Sequence, residues 1–572
     1  DDGFDVRRGS TIVGNITNSG TITAGSNAFE LTVGSDISGG VVNTVGGTIT
    51  AVADGFHVDA STIRGGITNR GTITGGTNAI NIINATAPVT ITNSGTLDGD
   101  VVLDDSTLTL EGTTGRVTGA VSGGTDSTVT VNGTFTTENT FSVDNFAINA
   151  GGRLNIGHGV TTTSGLNNAG TLAVASGVNA TVTGNYTQAA GGNFEVNVSA
   201  ADNFGTLTVT GTADLTASGL VSVNLPSLLT AGTIQDVLTA TTLTAGTLTT
   251  ASSGNLFYSA TAVRDGNTID LEVARDVLAT DLVDKTGPYA GAAQAVDNLL
   301  NAGGGDADTN AILSELSSLP TNQAAANAIA QMIPVLAGRG TIAATQAMDA
   351  TMGMVRSRFS SNNGGPRAGA AGDDSRYERG PLWLKPFGGY ADQETRSGTP
   401  GFEADTVGIG FGGDVEFNDR LVLGAAAAWS DTEVDGHTLS SHRLDAETYQ
   451  LVVYSDYALN ETDFVESYAV AGWNDNETRR QISVGGLTRQ ARGDYNSFFT
   501  RIYTGLGRHY HTSDSWTFAP VVNLRYTYID EDSYLEKGAG SLNLAIDDND
   551  ADSLIVGLDG VATYRFGDNQ GY

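Results

Sequence analysis

The run 405–417 sets the tightest limit on what this chain can fold into. Val407, Ile409, Phe411, Val415 and Phe417 fall on one side of an extended strand, with Gly413 the one gap, and Gly408, Gly410, Gly412, Asp414 and Glu416 fall on the other. A second run has the same form. Trp516, Phe518, Pro520, Val522, Leu524, Tyr526 and Tyr528 alternate with Thr517, Ala519, Val521, Asn523, Arg525 and Thr527. A face this aromatic, opposite Arg and Asn, is out of place on a soluble sandwich and fits a strand with lipid outside and a polar lumen inside. No apolar run reaches the ~18 residues a spanning helix needs, so any membrane crossing must be a closed barrel, because open sheet edges are intolerable in lipid.

Eight such strands are predicted, at roughly 382–392, 405–417, 421–434, 446–459, 464–484, 495–511, 515–534 and 553–566. Tight turns at 418–419, 460–463 and 512–514 alternate with longer connections at 394–403, 435–443, 485–494 and 536–544. Short turns on one rim and long loops on the other are the pattern of an outer-membrane barrel.

The first hundred residues repeat instead. Phe4, Phe29, Phe56 and Ile80 recur about every 25 residues, each inside an Asp/Asn-Gly/Ala-apolar unit. Ile16-Thr-Asn-Ser-Gly-Thr-Ile22, Ile67-Thr-Asn-Arg-Gly-Thr-Ile73 and Ile91-Thr-Asn-Ser-Gly-Thr-Leu97 keep step, with a worn copy at 42–49. Short β runs separated by Gly and Asn, with no helical pattern between them, read as turns of a parallel β-helix. Ile16 and Ile22 are expected to point inward and Gly20 to take a corner. The Asn of each unit is read as a turn residue that can form a ladder along the stack. Composition agrees: 76 Gly, 10 Pro and 16% charged residues suit a long β structure with many tight turns. A net charge of −35 argues against nucleic acid, and the lack of Cys excludes disulfides and thiol sites.

After residue 104 the pattern loosens but stays β. Gly184-Asn-Tyr-Thr-Gln-Ala-Ala-Gly-Gly-Asn-Phe-Glu-Val196, the run from Leu207 to Leu215 and Val237-Leu-Thr-Ala240 follow in order. This series resembles the stretch that precedes the barrel in monomeric autotransporters of type V secretion. So do Leu382-Trp-Leu-Lys-Pro-Phe-Gly-Gly-Tyr390, Phe518-Ala-Pro-Val-Val-Asn-Leu-Arg-Tyr526 and Tyr534-Leu-Glu-Lys-Gly-Ala-Gly540 among that family's barrel signatures. The likeness covers roughly 184–566. It implies an all-β chain: a right-handed parallel β-helix passenger (1–183), a pre-barrel autochaperone-like module (184–275), a helical linker (276–380) and an antiparallel transmembrane barrel (381–572). Helices are expected at 292–300, 311–319, 322–335 and 341–359, with a polar linker at 360–380. The family likeness makes the fourth helix a plug of the lumen, and Thr341, Thr345, Asp349, Arg356 and Arg358 its polar contacts. The family's barrel has twelve strands. An eight-stranded barrel is filled by its own side chains, so the expectation is that about four strands are missing.

The resemblance further implies outer-membrane lipid, the barrel-assembly machinery and periplasmic chaperones as partners, and a passenger displayed at the cell surface or secreted, where it meets host-cell or matrix surfaces. No GxSxG, GDSG, HExxH or GDSL block occurs, and neither His57 nor His158 sits in a hydrolase motif, so no catalytic, cofactor or metal site is expected. His509 and His511 lack a third ligand nearby. Arg492-Gly493-Asp494 is the tripeptide that integrins read, expected at the end of a long outer loop. The pairs Asn167-Asn168 and Asn362-Asn363 match no cleavage helix, so the passenger is expected to stay attached. Two alternatives stand beside an adhesive or structural autotransporter: an enzymatic passenger lying upstream, or a soluble secreted solenoid.

Overall fold

The computed structural model describes residues 1–334, 339–362, 382–395, 401–436, 442–513 and 516–564, the side chains of 339–340, 357–362 and 563–564 excepted. Contacts divide it into two units, one formed by 1–278 with 299–304 and 317–320, the other by 279–298, 305–316 and 321–572.

The first unit is a parallel β-solenoid built on the repeats. Phe4, Phe29, Phe56 and Ile80 stand in register on successive rungs, as do Ile16, Val41, Ile67 and Ile91. Phe29 and Phe56 are fully buried, and the rings from Phe4 to Phe29 to Phe56 stack at 4.8 and 4.5 Å. Each rung buries its apolar residues only because the next rung covers them, which is why the repeat must be kept in register. The asparagines do more than turn the chain. Asn18, Asn43, Asn69 and Asn93 are buried and aligned, and each amide donates to the next carbonyl oxygen at 2.9, 2.9 and 2.8 Å. Gly71 and Gly95, two residues after Asn69 and Asn93, are needed because rungs pack closely there. A Cβ on Gly71 would stand 2.1 Å from the Gly47 carbonyl, and one on Gly95 equally close to that of Gly71.

Past residue 183 the solenoid continues with the same logic and other residues. The Tyr186 hydroxyl donates to Gln188, whose amide donates to the carbonyls of Ser218 and Leu220. The parallel stack ends where Tyr258–Asp265 and Thr268–Arg275 form an antiparallel hairpin, the second strand of which pairs antiparallel with Gly232–Ala245.

Among the described residues four helices come next, α1 (Ala290–Asn301), α2 (Ala307–Ser317), α3 (Asn322–Ala330) and α4 (Arg339–Asn362), all but the ends of α1 and α2 in the second unit. An antiparallel sheet of eight long strands follows: Leu382–Gln393, Phe402–Asn418, Leu421–Gly436, His442–Ala458, Asp463–Val484, Leu487–Arg508, Trp516–Glu531 and Asn549–Tyr564. They pair in sequence order, and a short strand, Tyr510–His511, extends the sixth. Among the described residues no pairing joins the first strand to the eighth.

Alternation orients the sheet as the sequence predicts. Val407, Ile409, Phe411, Val415 and Phe417 are exposed on its outer face, as are Trp516, Phe518, Val522 and Leu524. Ala519, Val521, Asn523 and Thr527 point inward and are buried. Tyr449, Trp473 and Phe498 stand side by side in register on the outer face, the aromatic belt of a membrane interface.

Three expectations fail, the first being that α3 stops at Ala330 rather than at 335. The loop placed at 485–494 is a two-residue turn, Gly485-Gly486, with φ +55° at Gly485, and the flanking strands run straight into it. Leu487, Arg489 and Ala491 continue the inward side of the alternation, so nothing stops the strand from reaching the turn. The fourth helix runs three residues further than 359, into the polar linker; residues 363–380 of that linker lie outside the described residues.

Candidate functional site: the helix inside the barrel

Small side chains on both partners bring helix and wall together. The row Gly408, Gly410 and Gly412 faces inward, where a Cβ on Gly410 would stand 2.3 Å from Met354 Sδ. Ala344, Met348, Met352, Met354 and Val355 of α4 form one buried cluster with Trp383, Ala426, Ala428, Val452, Tyr454, Tyr468, Val470, Phe499, Tyr503 and Ile529. Ala343 joins a second cluster with Phe402, Ala404, Val434, Leu444 and Ala446. The helix thus occupies the space enclosed by the inward face, with its N-terminal half at the rim of the longer connections.

Polar groups fix its rotation and depth. Thr341 donates to Glu531 at 3.4 Å, and Gln450 donates to the Ala347 carbonyl at 3.2 Å and to the Thr351 hydroxyl at 3.0 Å. Asp349 binds Arg501 at 2.5 Å and stands 3.6 Å from Arg525. Arg356 donates to the Tyr503 hydroxyl at 2.7 Å, pairs with Asp559 and lies 3.9 Å from Glu466; its guanidinium carbon is 5.1 Å from the centre of the Tyr503 ring. Arg501 is buried, whereas Asp349, Arg356 and Asp559 each keep over a third of the side chain exposed, so solvent still screens these pairs.

Of the residues picked from the sequence, Thr341, Asp349 and Arg356 each meet the wall, and Thr345 is half-buried. The side chain of Arg358 lies outside those described. Sequence reading missed the wall residues Glu466, Arg501, Tyr503, Arg525, Glu531 and Asp559. Their parity within the strands marks them as inward-facing, but parity cannot say which of them meets a given helix residue.

Arg492, Gly493 and Asp494 are not in a loop. They lie inside the sixth strand, opposite Arg479, Thr478 and Glu477, with Arg492 and Asp494 exposed and Gly493 packed on the Tyr534 ring. His509 stacks on Phe464 at 4.5 Å and His511 meets the Thr517 hydroxyl at 2.9 Å. Among the described residues no cluster of three potential metal ligands occurs.

An antiparallel sheet that is oily outside and polar inside, wrapped around a helix of the same chain, defines an outer-membrane barrel occupied by its own linker. Residues 382–572 match the family described as autotransporter beta-domain. Outer membrane protein A of Rickettsia conorii is 32% identical over 205 residues, 33% of this chain and 10% of that protein. Esterase EstA of Pseudomonas aeruginosa is 24% identical over 180 residues, 31% of this chain and 27% of that one. The solved translocator domain of autotransporter NalP from Neisseria meningitidis aligns with 39% of this chain and 73% of its own, at 13% identity and a TM-score of 0.31. Residues 382–572 are thus an autotransporter beta-domain, the barrel of an outer-membrane protein, and a parallel β-solenoid stands ahead of it in the chain. The chain spans about a tenth of the length of the Rickettsia proteins it matches.

Proposed function

We propose that the barrel carries the solenoid across the outer membrane and leaves it displayed as an adhesive or structural surface, without enzymatic activity of its own. The observation that carries this reading is α4, which fills the lumen while continuing the chain that bears the solenoid. The apolar outer face takes lipid as its partner, and the barrel-assembly machinery and periplasmic chaperones are the partners of insertion. The solenoid supports an adhesive role by presenting aligned polar rows, such as Thr21, Thr48, Thr72 and Thr96, over a repeated surface. An esterase among the relatives keeps an enzymatic passenger as the competing reading.

The test is expression in an outer membrane, with protease shaving and solenoid-directed antibodies on intact cells. Accessible solenoid, and binding to host cells or matrix proteins above that of cells carrying 276–572 alone, support the reading. A solenoid retained in the periplasm refutes transport. Surface display without any gain in binding refutes adhesion, and ester hydrolysis by the displayed solenoid favours the enzymatic reading.

A further inference from the structure

The fifth and sixth strands outrun their neighbours. Among the described residues the fourth strand pairs with the fifth as far as Arg480, and the seventh first pairs with the sixth at Ser497. Residues 481–491 therefore stand beyond the sheet as a hairpin, and an isolated two-stranded hairpin is marginal in water. Here it is held by the chain that precedes α4. Arg489 binds Asp308 at 2.6 Å, the Gly486 amide donates to Glu315 at 2.7 Å, and the Ser483 amide donates to the Gln331 side chain at 2.8 Å. The loop after the seventh strand joins in: the Ser541 amide donates to Asp308 at 2.8 Å. Beneath these contacts Arg480, fully buried, is paired with Glu536 at 2.5 Å and donates to the carbonyls of Leu542 at 2.6 Å and Gln331 at 3.1 Å. Ile482 and Val484 are buried on the same side of the hairpin.

The contacts of the hairpin with the chain that precedes α4 are polar and directional, and they converge on three short pieces: the start of α2, its last turn, and the residue capping α3. That is the layout of a catch. Residues 332–338 alone separate Gln331 from α4, so a held Gln331 limits how far α4 can slide. We propose that α2, α3 and the protruding hairpin form a clasp that closes when residues 305–334 stand at the outer rim, and then holds α4 at fixed depth in the lumen. The inference rests on the transport reading above, because the segment must first arrive at that rim.

Charge reversal on the full-length protein tests it. Asp308→Arg and Arg489→Asp singly are expected to raise protease cleavage within 305–334 by about tenfold, the loss of one charge-assisted contact, and to raise ion conductance in planar bilayers. The double exchange restores the pair, although the Ser541 amide loses its acceptor, and brings both readouts back toward wild type. Wild-type cleavage and conductance in the single variants overturn the proposal, as does failure of the double exchange to restore them. Loss of heat-modifiable gel mobility in the single variants also overturns it, since the contacts would then belong to folding of the barrel. Surface accessibility of the wild-type solenoid is scored separately. If the solenoid is not exported, the transport reading fails; if it is exported and the reversals are silent, only the clasp fails.

Discussion

Replacing Asn69 by Asp probes the buried amide ladder without changing its shape. Asn69 is 0% exposed, donates to Asn93 Oδ1 at 2.8 Å and to the Thr96 carbonyl at 2.9 Å, and accepts from Asn43 at 2.9 Å. A carboxylate keeps the acceptor and loses both donations, setting negative charge against two oxygens that then lack a donor. At ~1–3 kcal/mol for each buried unsatisfied group the loss is ~2–6 kcal/mol, before the cost of burying the charge itself. In a stack whose stability is a sum of rungs and their interfaces, that loss stays local. It should appear in hydrogen exchange of the full chain as lost protection at Val41–Asn43, Ile67–Asn69 and Thr90–Asn93, with strands beyond 150 unchanged. Asn69→Ala separates charge from shape. Burial raises the folded pKa of the new carboxyl above its unfolded value of ~3.9. The charge penalty is therefore absent below that unfolded value, grows as pH rises from it, and is complete above the folded pKa. At pH 7 Asp is expected to be worse than Ala, and at low pH the gap closes because a protonated Asp recovers one donor. Equal protection of the two variants at both pH values, or a neutral-pH loss below ~1 kcal/mol, refutes the ladder as a source of stability.

Other perturbations read different parts of the molecule. Gly412→Leu puts a Cβ 2.5 Å from the Trp383 ring and 2.6 Å from the Ala425 carbonyl; overpacking of ~1–3 kcal/mol should lower the temperature at which the barrel band shifts on a gel. Gly413→Val, one residue away on the outer face, should leave that temperature unchanged. Asp349→Asn removes the charge between Arg501 and Arg525, and bilayer conductance is expected to rise as α4 loosens. Arg153 donates to Glu195 at 2.8 and 2.6 Å and holds its carboxyl below the usual range. That contribution is present above the unfolded value of ~4.3 and is lost as pH falls through the lowered folded value, so Glu195→Gln should flatten the acid step in exchange at Phe194 and Val196.

The parts of the fold that read cleanly from sequence are those where one residue decides one contact. The repeat put Phe4, Phe29 and Phe56 on successive rungs because rings at that spacing have nowhere else to stack, and the Gly408–Gly412 row foretold a close neighbour because nothing larger fits. The wall contacts of α4 were not legible in the same way. Asp349 meets Arg501 and Arg525 from two different strands, and no spacing in the sequence encodes the depth at which the helix sits. The hairpin at Gly485-Gly486 was misjudged because 485–494 is polar and loop-like in composition. Its strand character comes from partners more than 150 residues upstream, such as Asp308 and Glu315.

The two halves also use one code with opposite meaning. In the solenoid the alternating apolar residues turn inward, as Ile67 and Ile91 do, and Thr faces water. In the barrel Ile409, Phe411 and Val522 turn outward while Asn474, Asn523 and Arg501 are buried. Period 2 says only that the faces differ, and it cannot say which one meets solvent. What breaks the tie is the company on the second face. Thr opposite Ile asks for water on one side and a core of like rungs on the other. Gly, Arg and Asn opposite Trp, Phe and Tyr leave the aromatic side without an apolar partner among the described residues, and lipid is the medium that suits it. On that reasoning a polar substitution at Phe411 or Val522 should cost stability in a bilayer, ~2–4 kcal/mol for Arg near the midplane. The matching substitution of Thr23 or Thr50 in the solenoid should cost almost nothing. If both cost the same in refolding titrations of the full chain, the outer face of the barrel is not in lipid.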